Sequence, residues 1–109
     1  MIKLLLMTVG EKTQVLILDE VEKEVWLDGV PCALTQQEFS LLFALIQHKN
    51  TVVSREMLLQ AAWGYAQAGG TRTVDVHVQR LRKKLSISCI ETVFRQGYLF
   101  RAEETERDP

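Results

Sequence analysis

The sequence predicts an α+β fold in which an N-terminal four-stranded antiparallel sheet precedes three helices and a C-terminal β-hairpin. Short apolar runs separated by turn residues fill 1–34, capped or amphipathic helical patterns fill 35–85, and two further apolar runs flank a turn in 90–100. The length of 109 residues suits a single domain. We therefore assign 1–34 and 35–101 to one domain, and we predict that 102–109 form a frayed tail.

Composition and cysteine usage narrow the class of protein. The chain is 47% hydrophobic and 25% charged, close to the globular average. Its apolar runs are far shorter than the roughly 18 residues that a membrane span needs, and no small-residue cleavage site follows the N-terminus. Cys32 and Cys89 lie in no paired motif, which predicts free thiols rather than a disulfide or a metal site. We expect a cytoplasmic domain without membrane contact.

Four short segments rich in Val, Ile or Leu predict the N-terminal sheet. Asp28–Gly29 between two of them predicts a hairpin, because a type I′ turn requires the positive φ that glycine adopts easily. The predicted strands are Leu4–Thr8, Val15–Leu18, Glu24–Leu27 and Val30–Leu34.

Two helices follow the sheet, and each begins at a side-chain cap. Thr35 and Glu38 form a capping box, and the apolar stripe after it predicts a helix that ends near 48–50. Ser54 caps a second helix, and Gly64 ends it. The stripe of the first helix consists of Phe39, Leu42, Phe43 and Ile46.

Residues 71–85 predict a third helix that is strongly basic. Val74, Val78, Leu81 and Leu85 fall on one narrow apolar stripe. Residues 71–101 carry a net charge of +5, whereas 1–70 and 102–109 each carry −3, and this asymmetry is typical of a face that meets a polyanion. The opposite face of the third helix consists of Arg72, Val76, Gln79, Arg80 and Lys83.

A terminal hairpin completes the predicted architecture. Ile90–Val93 and Tyr98–Phe100 read as its strands, with a turn at Phe94–Gly97. Three helices followed by such a hairpin form a winged helix-turn-helix, in which the basic helix occupies the place of the recognition helix.

With these elements laid out, the chain closely resembles the DNA-binding effector domain of OmpR/PhoB-type response regulators. The resemblance covers nearly the whole chain, and it depends on several motifs occurring in order and at family spacing. The motifs are Leu34-Thr35, Glu38-Phe39, Val53-Ser54-Arg55-Glu56, Leu58-Leu59, Trp63-Gly64, Arg72 to Val78, Arg80 to Leu85, Thr92-Val93 and Gly97-Tyr98.

The resemblance implies a bacterial module for transcription regulation in a two-component phosphorelay. It implies that the third helix enters the major groove, that the wing reaches a minor groove, and that two copies bind direct repeats of double-stranded promoter DNA as a tandem homodimer. It also implies that the loop between the second and third helices contacts RNA polymerase subunits. That loop consists of Tyr65, Ala66, Gln67, Ala68, Gly69 and Gly70.

Three residues are candidates for reading DNA bases. Arg80 projects from the polar face of the third helix, and a guanidinium matches the O6/N7 edge of guanine, which discriminates against a wrong base by about 1–3 kcal/mol. Val76 lies one turn earlier on that face and suits a thymine methyl, although a singly exposed valine is equally ordinary. Arg95 in the wing is the candidate for the minor groove.

A larger set is predicted to bind phosphates, mostly from matching family positions, and such contacts fix register rather than sequence. Trp63 and Tyr98 are equally compatible with core aromatics whose polar tips are hydrogen-bonded. His77 has no Cys, His or carboxylate at ligand spacing, which favours a phosphate donor over a metal ligand. The set consists of Trp63, Arg72, Thr73, His77, Gln79, Arg82, Lys83, Lys84, Thr92 and Tyr98.

The chain departs from the family pattern in two places that bear on DNA contact. Gln79 stands where the family often has arginine. In the wing, Phe94-Arg95 replaces the usual arginine–glycine, and a shift of one place turns a side chain to the opposite face of a strand. Either Arg95 reaches the groove through an altered turn, or Phe94 packs on the third helix instead. Asp75 points away from the base-reading side and either orients Arg55 or Arg82 or is a surface acid.

Other classes of function are weighed against DNA binding. A winged-helix module for protein–protein contact stays open, because a fold alone does not set function, but the basic segment disfavours it. An enzyme is not expected, since the chain lacks a Ser-His-Asp order, a metal cluster and a glycine-rich phosphate loop, so no metal, cofactor or small-molecule substrate is predicted. The 109 residues have no room for a receiver domain, which fits either an excised effector domain or a protein without a receiver.

Overall fold

The computed structural model describes residues 2–64, 70–85 and 89–105, and it confirms the winged helix-turn-helix. Along the chain, three helices follow the first four strands of a large sheet and precede a small two-stranded sheet. The helices are α1 (Gln36–Gln47), α2 (Arg55–Trp63) and α3 (Arg72–Leu85). The strands are β1 (Ile2–Val9), β2 (Lys12–Asp19), β3 (Glu24–Leu27), β4 (Val30–Cys32), β5 (Ile90–Val93), β6 (Gly97–Phe100) and β7 (Glu103–Thr105).

The large sheet has five strands in the order β4-β3-β2-β1-β7, one more than predicted. The prediction that 102–109 are frayed is wrong for β7, because Leu4 lies opposite Thr105 and Leu6 lies opposite Glu103 in antiparallel register. Without β7, β1 would expose a row of unpaired backbone groups at the edge of the sheet. The rest of the predicted tail, 106–109, lies outside the described residues.

The first two hairpins place the apolar face of the sheet on the helices. Leu5 pairs with Leu16, and Leu18 pairs with Val25, so these four buried side chains share one face and join the core formed with α1 and α3. The predicted turn at Asp28–Gly29 is confirmed: both residues have positive φ, as a type I′ turn requires. The first two strands are longer than predicted, and β4 ends at Cys32 rather than at Leu34.

The predicted caps set the helix ends. Thr35 Oγ1 accepts from the Glu38 backbone N–H at 3.2 Å, and Glu38 Oε1 accepts from the Thr35 N–H at 2.8 Å, which completes the capping box. Ser54 Oγ accepts from the Met57 N–H, and Gly64 ends α2 with a φ of +84°. These local bonds fix where α1 and α2 begin and where α2 stops.

The apolar stripe of α3 is buried as predicted. Val74, Val78, Leu81 and Leu85 are fully inaccessible to solvent and pack in the core with α1. Burial of this stripe leaves α3 only one rotation about its own axis, and that rotation turns its basic face outward.

The small sheet is attached to the entrance of α2. Val53 and Tyr98 exchange backbone hydrogen bonds of 2.8 and 2.9 Å, so the hairpin of β5 and β6 gains a bridge from the segment before α2. Gly97 allows the two backbones to approach this closely, because a Cβ there would lie 1.9 Å from the Val53 carbonyl oxygen.

We expect Gly97→Ala to destabilise the domain severely, by about 3 kcal/mol or more, because it adds a clash with backbone to a φ of +140°. The measurement is the free energy of unfolding from urea denaturation. Gly10→Ala is the matched control, since Gly10 also has a positive φ but meets nothing within 4 Å, and its cost should be about 1–2 kcal/mol. Equal losses in the two variants would contradict the packing at Gly97.

Candidate nucleic-acid interface

The outer face of α3 is an exposed, mostly cationic surface. Burial of the opposite stripe leaves Arg80 at its centre, with Val76 one turn earlier and 43% exposed. We define the α3 outer face as the five exposed side chains Arg72, Val76, Gln79, Arg80 and Lys83. Its residues are those that the helical spacing predicted, and long donors of this kind suit phosphate oxygens and base edges.

A hydrogen-bonded cluster joins α3 to α2 and to the wing. Asp75 Oδ1 accepts from Arg55 Nε at 2.8 Å and from the Tyr98 hydroxyl at 2.6 Å. The Tyr98 ring also lies 5.7 Å from the guanidinium carbons of both Arg55 and Arg82, within the range of cation–π attraction. We call these four residues the Asp75 cluster. Of the roles considered for Asp75, orientation of Arg55 is the one that the structure supports.

The cluster sets the protonation of its members. Burial raises the pKa of Asp75, but the hydrogen bonds from Tyr98 and Arg55, with the positive charges of Arg55 and Arg72, outweigh burial and hold it below the usual aspartate value. Burial and the neighbouring Asp75 carboxylate raise the pKa of Tyr98. The carboxylate therefore stays charged and the phenol stays protonated, which keeps the donor and acceptor roles fixed at neutral pH.

Arg82 holds the wing against α3 instead of facing outward. Its Nε and Nη2 donate to the Ile90 carbonyl oxygen at 3.1 and 2.8 Å, and Nη2 also donates to Thr92 Oγ1 at 2.8 Å. Since the Thr92 oxygen is already an acceptor, its hydroxyl proton remains to be donated elsewhere. Thr92 thus keeps the capacity predicted for it, and Arg82 supports the strand that carries Thr92.

Lys84 is paired with a buried carboxylate of α1. Its Nζ lies 2.7 Å from Glu38 Oε1, and the Glu38 side chain is only 2% exposed. Burial raises the pKa of Glu38. The hydrogen bond and charge of Lys84, with the hydrogen bonds of the capping box, outweigh burial and hold the pKa below the usual glutamate value. The sequence placed Lys84 with the phosphate-binding residues, whereas the structure gives its ammonium a partner within the domain.

His77 and Trp63 meet where α2 faces α3. Their rings are in an edge-on arrangement with centroids 5.0 Å apart, and Trp63 also packs against the core. His77 Nδ1 lies 2.8 Å from the Thr73 carbonyl oxygen, and because a carbonyl only accepts, Nδ1 must be the protonated nitrogen. In the neutral ring, Nε2 is then an acceptor, so donation from Nε2 to a phosphate requires the imidazolium form.

Tyr98 is 3% exposed, and its hydroxyl is committed to Asp75. This is the position of a core aromatic with a hydrogen-bonded tip, one of the two interpretations that its sequence context allowed. Its alternative role in holding a phosphate has no further support in the geometry.

The structure excludes one of the two arrangements predicted for the wing tip and leaves the other, in which Arg95 reaches the groove through an altered turn, as a prediction. Val93 ends β5, so Phe94, Arg95 and Gln96 form a turn, to which the two-face alternation of a strand does not apply. The expectation that Phe94 packs on the third helix is wrong, because the side chain is 79% exposed. The Arg95 guanidinium carbon lies 5.1 Å from the centre of the Phe94 ring.

The intramolecular pairs divide the cations of 71–101 into two groups. Arg82, Lys84 and Arg101 have partners within the domain, namely the wing, Glu38 and Glu91. The other four are exposed and lie on the α3 outer face and at the wing tip; they are Arg72, Arg80, Lys83 and Arg95. The positive charge that a ligand meets is therefore concentrated on these two adjacent elements.

Several predictions fall elsewhere or outside the described part. Of the loop predicted to contact polymerase, only Gly70 is described, and 65–69 lie outside the described residues, as does the helix-to-wing connection at 86–88.

Within the described ranges, no group of three or more His, Cys, Asp or Glu side chains could hold a metal ion. None of the helices described here is long and apolar enough to span a membrane.

Comparison with known proteins places this geometry in a family. The family described as "Transcriptional regulatory protein, C terminal" matches residues 29–100. The uncharacterized transcriptional regulatory protein YclJ of Bacillus subtilis is 44% identical over 93 residues, which cover 82% of this chain and 41% of YclJ. The chain spans about two fifths of the length of the curated relatives that it matches.

Solved structures resemble the whole fold. The DNA-binding domain of Klebsiella pneumoniae RstA, in complex with the RstA box, matches with a TM-score of 0.71 and 35% identity over 88% of this chain and 96% of that one. The response regulator DrrB of Thermotoga maritima, an OmpR/PhoB homolog, matches with a TM-score of 0.70 and 30% identity over 88% of this chain and 44% of DrrB.

We expect Asp75→Asn to destabilise the domain by about 1–2 kcal/mol at neutral pH, because the charged acceptor of Arg55 and Tyr98 is lost. The pKa of Asp75 is lowered by folding, so its contribution is present above the unfolded value of about 3.9 and is lost as pH falls through the folded value. The variant should therefore lose less stability than the unaltered chain between neutral pH and about pH 3.

The measurement is the thermal unfolding midpoint across that pH range. Glu56→Gln is the control, since Glu56 is an exposed carboxylate in the first turn of α2. An Asp75→Asn profile parallel to that of the unaltered chain would contradict the role of the carboxylate in the cluster.

Proposed function

Because this chain belongs to the family of transcriptional regulatory protein C-terminal domains, which includes the DNA-binding effector domains of OmpR/PhoB-type response regulators, we propose that it binds double-stranded DNA sequence-specifically to regulate bacterial transcription. The observation that carries the proposal is the α3 outer face, which is exposed, cationic and held in one orientation relative to the wing. A helix of this kind fits the major groove of B-DNA.

Base reading is assigned to the centre of the α3 outer face. Arg80 is exposed there and offers a planar fork to guanine O6 and N7. Val76 is close enough along the helix to contact a thymine methyl of a neighbouring base pair. Among the described residues, Arg80 has no hydrogen bond or ion pair that contact with a base would have to break.

Phosphate binding is assigned to the residues around that centre. Arg72 and Lys83 lie toward opposite ends of the exposed face, and Gln79 supplies an amide between them. Thr92 retains its hydroxyl proton for a phosphate oxygen, and His77 in its imidazolium form donates from Nε2. Arg82 and Lys84, each of which donates to a partner in the domain, contribute by positioning the wing and α3.

The larger assembly is proposed from the family alone. Curated relatives such as the response regulator ArlR of Staphylococcus saprophyticus are longer than this chain. By analogy we propose that the domain works within a two-component system, as a tandem pair on direct repeats, and that 65–70 meet RNA polymerase. The family is one of transcription regulators, and we propose no catalytic activity for this domain.

A protein–protein module is the other candidate, and no contact described here favours it over DNA. The two are distinguished by salt. If about five phosphates are neutralised, the logarithm of DNA affinity should fall with the logarithm of salt concentration at a slope of about −4 to −5. The measurement is fluorescence anisotropy of a labelled duplex, and a slope near zero would contradict DNA binding through the α3 outer face.

We expect Arg80→Ala and Arg72→Ala to weaken DNA binding in different ways. The first should relax preference at one base pair by about 1–3 kcal/mol, whereas the second should weaken all sequences alike and reduce the salt slope by about one. The measurement is binding to a pool of randomised duplexes, read by sequencing. Lys12→Ala, on β2, is the charge-matched control and should change neither property. The same sequence profile for both arginine variants would contradict this division of roles.

A further inference from the structure

The wing tip presents an aromatic side chain that the fold does not use. Phe94 is the most exposed of the large hydrophobic side chains in the described part of the chain. A single exposed apolar residue is ordinary by itself. Here, however, the ring is covered on one side by the guanidinium of Arg95, 5.1 Å from its centre, so the two side chains form one unit.

The backbone beneath this unit is held in a conformation that costs free energy. The Gln96 N–H donates to the Val93 carbonyl oxygen at 2.9 Å, which closes a four-residue turn. Arg95, the third residue, has a φ of +63°, the left-handed value that favours glycine at this position of a type II turn. A non-glycine residue kept in such a conformation is found more often at functional sites than elsewhere.

The wing tip is also fixed in place and chemically suited to a polyanion. Arg82 on α3 bonds to Ile90 and Thr92 of β5, so the turn moves with the α3 outer face. The segment Thr92–Gly97 contains no acidic residue. Its exposed side chains offer a hydroxyl, an aromatic ring, a guanidinium and an amide, and apolar wedges flanked by Arg and Gln are typical of proteins that enter the minor groove.

We propose that Phe94 is a DNA-contacting residue that enters the minor groove as an apolar wedge and carries the Arg95 guanidinium with it. This inference rests on the proposed function and adds a contact that the α3 outer face does not supply. The ring lies against the sugar walls or an opened base step, while the guanidinium faces the acceptors of the groove floor. The conformational cost at Arg95 is the condition for presenting both side chains from one tight turn.

The test compares Phe94→Ala with Phe94→Leu on a duplex of alternating A·T base pairs. We expect about tenfold weaker binding for the alanine variant and near-normal binding for leucine, which keeps an apolar wedge. The salt slope should be the same in both, because no charge changes. Netropsin fills the minor groove of A·T pairs, so in its presence the unaltered chain and Phe94→Ala should bind with about equal affinity. A tenfold difference in affinity that netropsin leaves unchanged would overturn the minor-groove placement.

A matched pair at Arg95 tests the turn without DNA. Arg95→Gly and Arg95→Ala both remove the guanidinium, but only glycine relieves the left-handed backbone. We expect the glycine variant to unfold at a temperature higher by about 4 °C or more than the alanine variant. Both should bind the duplex more weakly than the unaltered chain. Equal unfolding temperatures, or unaltered binding, would overturn the role of the strained turn.

The outcomes separate this inference from the proposed function. Failure of the unaltered chain to bind both this duplex and the randomised pool at low salt would overturn both. Normal binding by the unaltered chain and by Phe94→Ala would overturn only the wedge. If Phe94→Ala instead bound DNA normally but lost association with a second copy of the chain, the tip would be a protein contact and the proposal would be wrong. The alanine variant should keep its unfolding temperature, since the ring is exposed.

Discussion

The position of the wing beside the α3 outer face depends on a polar junction between α2, α3 and the two strands of the wing. Asp75 accepts from Arg55 on α2 and from Tyr98 on β6, while Arg82 on α3 donates to β5. Packing of the α3 stripe fixes the rotation of the helix, but directional hydrogen bonds fix the position of the wing beside it. A ligand that contacts both elements thus meets a surface already arranged, and little ordering is left for the moment of binding.

The location and the partners of the charged side chains indicate where a polyanion can bind, whereas the net charge of the chain does not. The net charge is −1, yet one segment carries +5, and within that segment three cations are paired inside the domain. Lys84 stabilises the capped start of α1 through Glu38, which couples two helices that are distant in sequence. The other four cations of that segment lie exposed on the α3 outer face and the wing tip, where a polyanion can reach them.

Sequence reasoning found the elements whose signals are local and missed those set by distant partners. Thr35, Ser54 and Gly64 mark helix ends because a cap bonds to residues three or four away, and the α3 stripe follows from helical periodicity. β7 carries acidic residues and no apolar alternation, so only the open edge of β1 explains it. Likewise, spacing places Arg82 and Lys84 on a basic segment but does not show that β5 and Glu38 already use them.

The pairing of β7 with β1 has a mechanical consequence. Leu4 lies opposite Thr105 in antiparallel register, so the start of one strand and the finish of the other emerge side by side from the same end of the sheet. Tension applied between those two points would break the backbone hydrogen bonds between β1 and β7 one after another, instead of loading them all at once. The edge strand β7 would detach at low force, while the helices and the hairpin of β5 and β6 stayed folded.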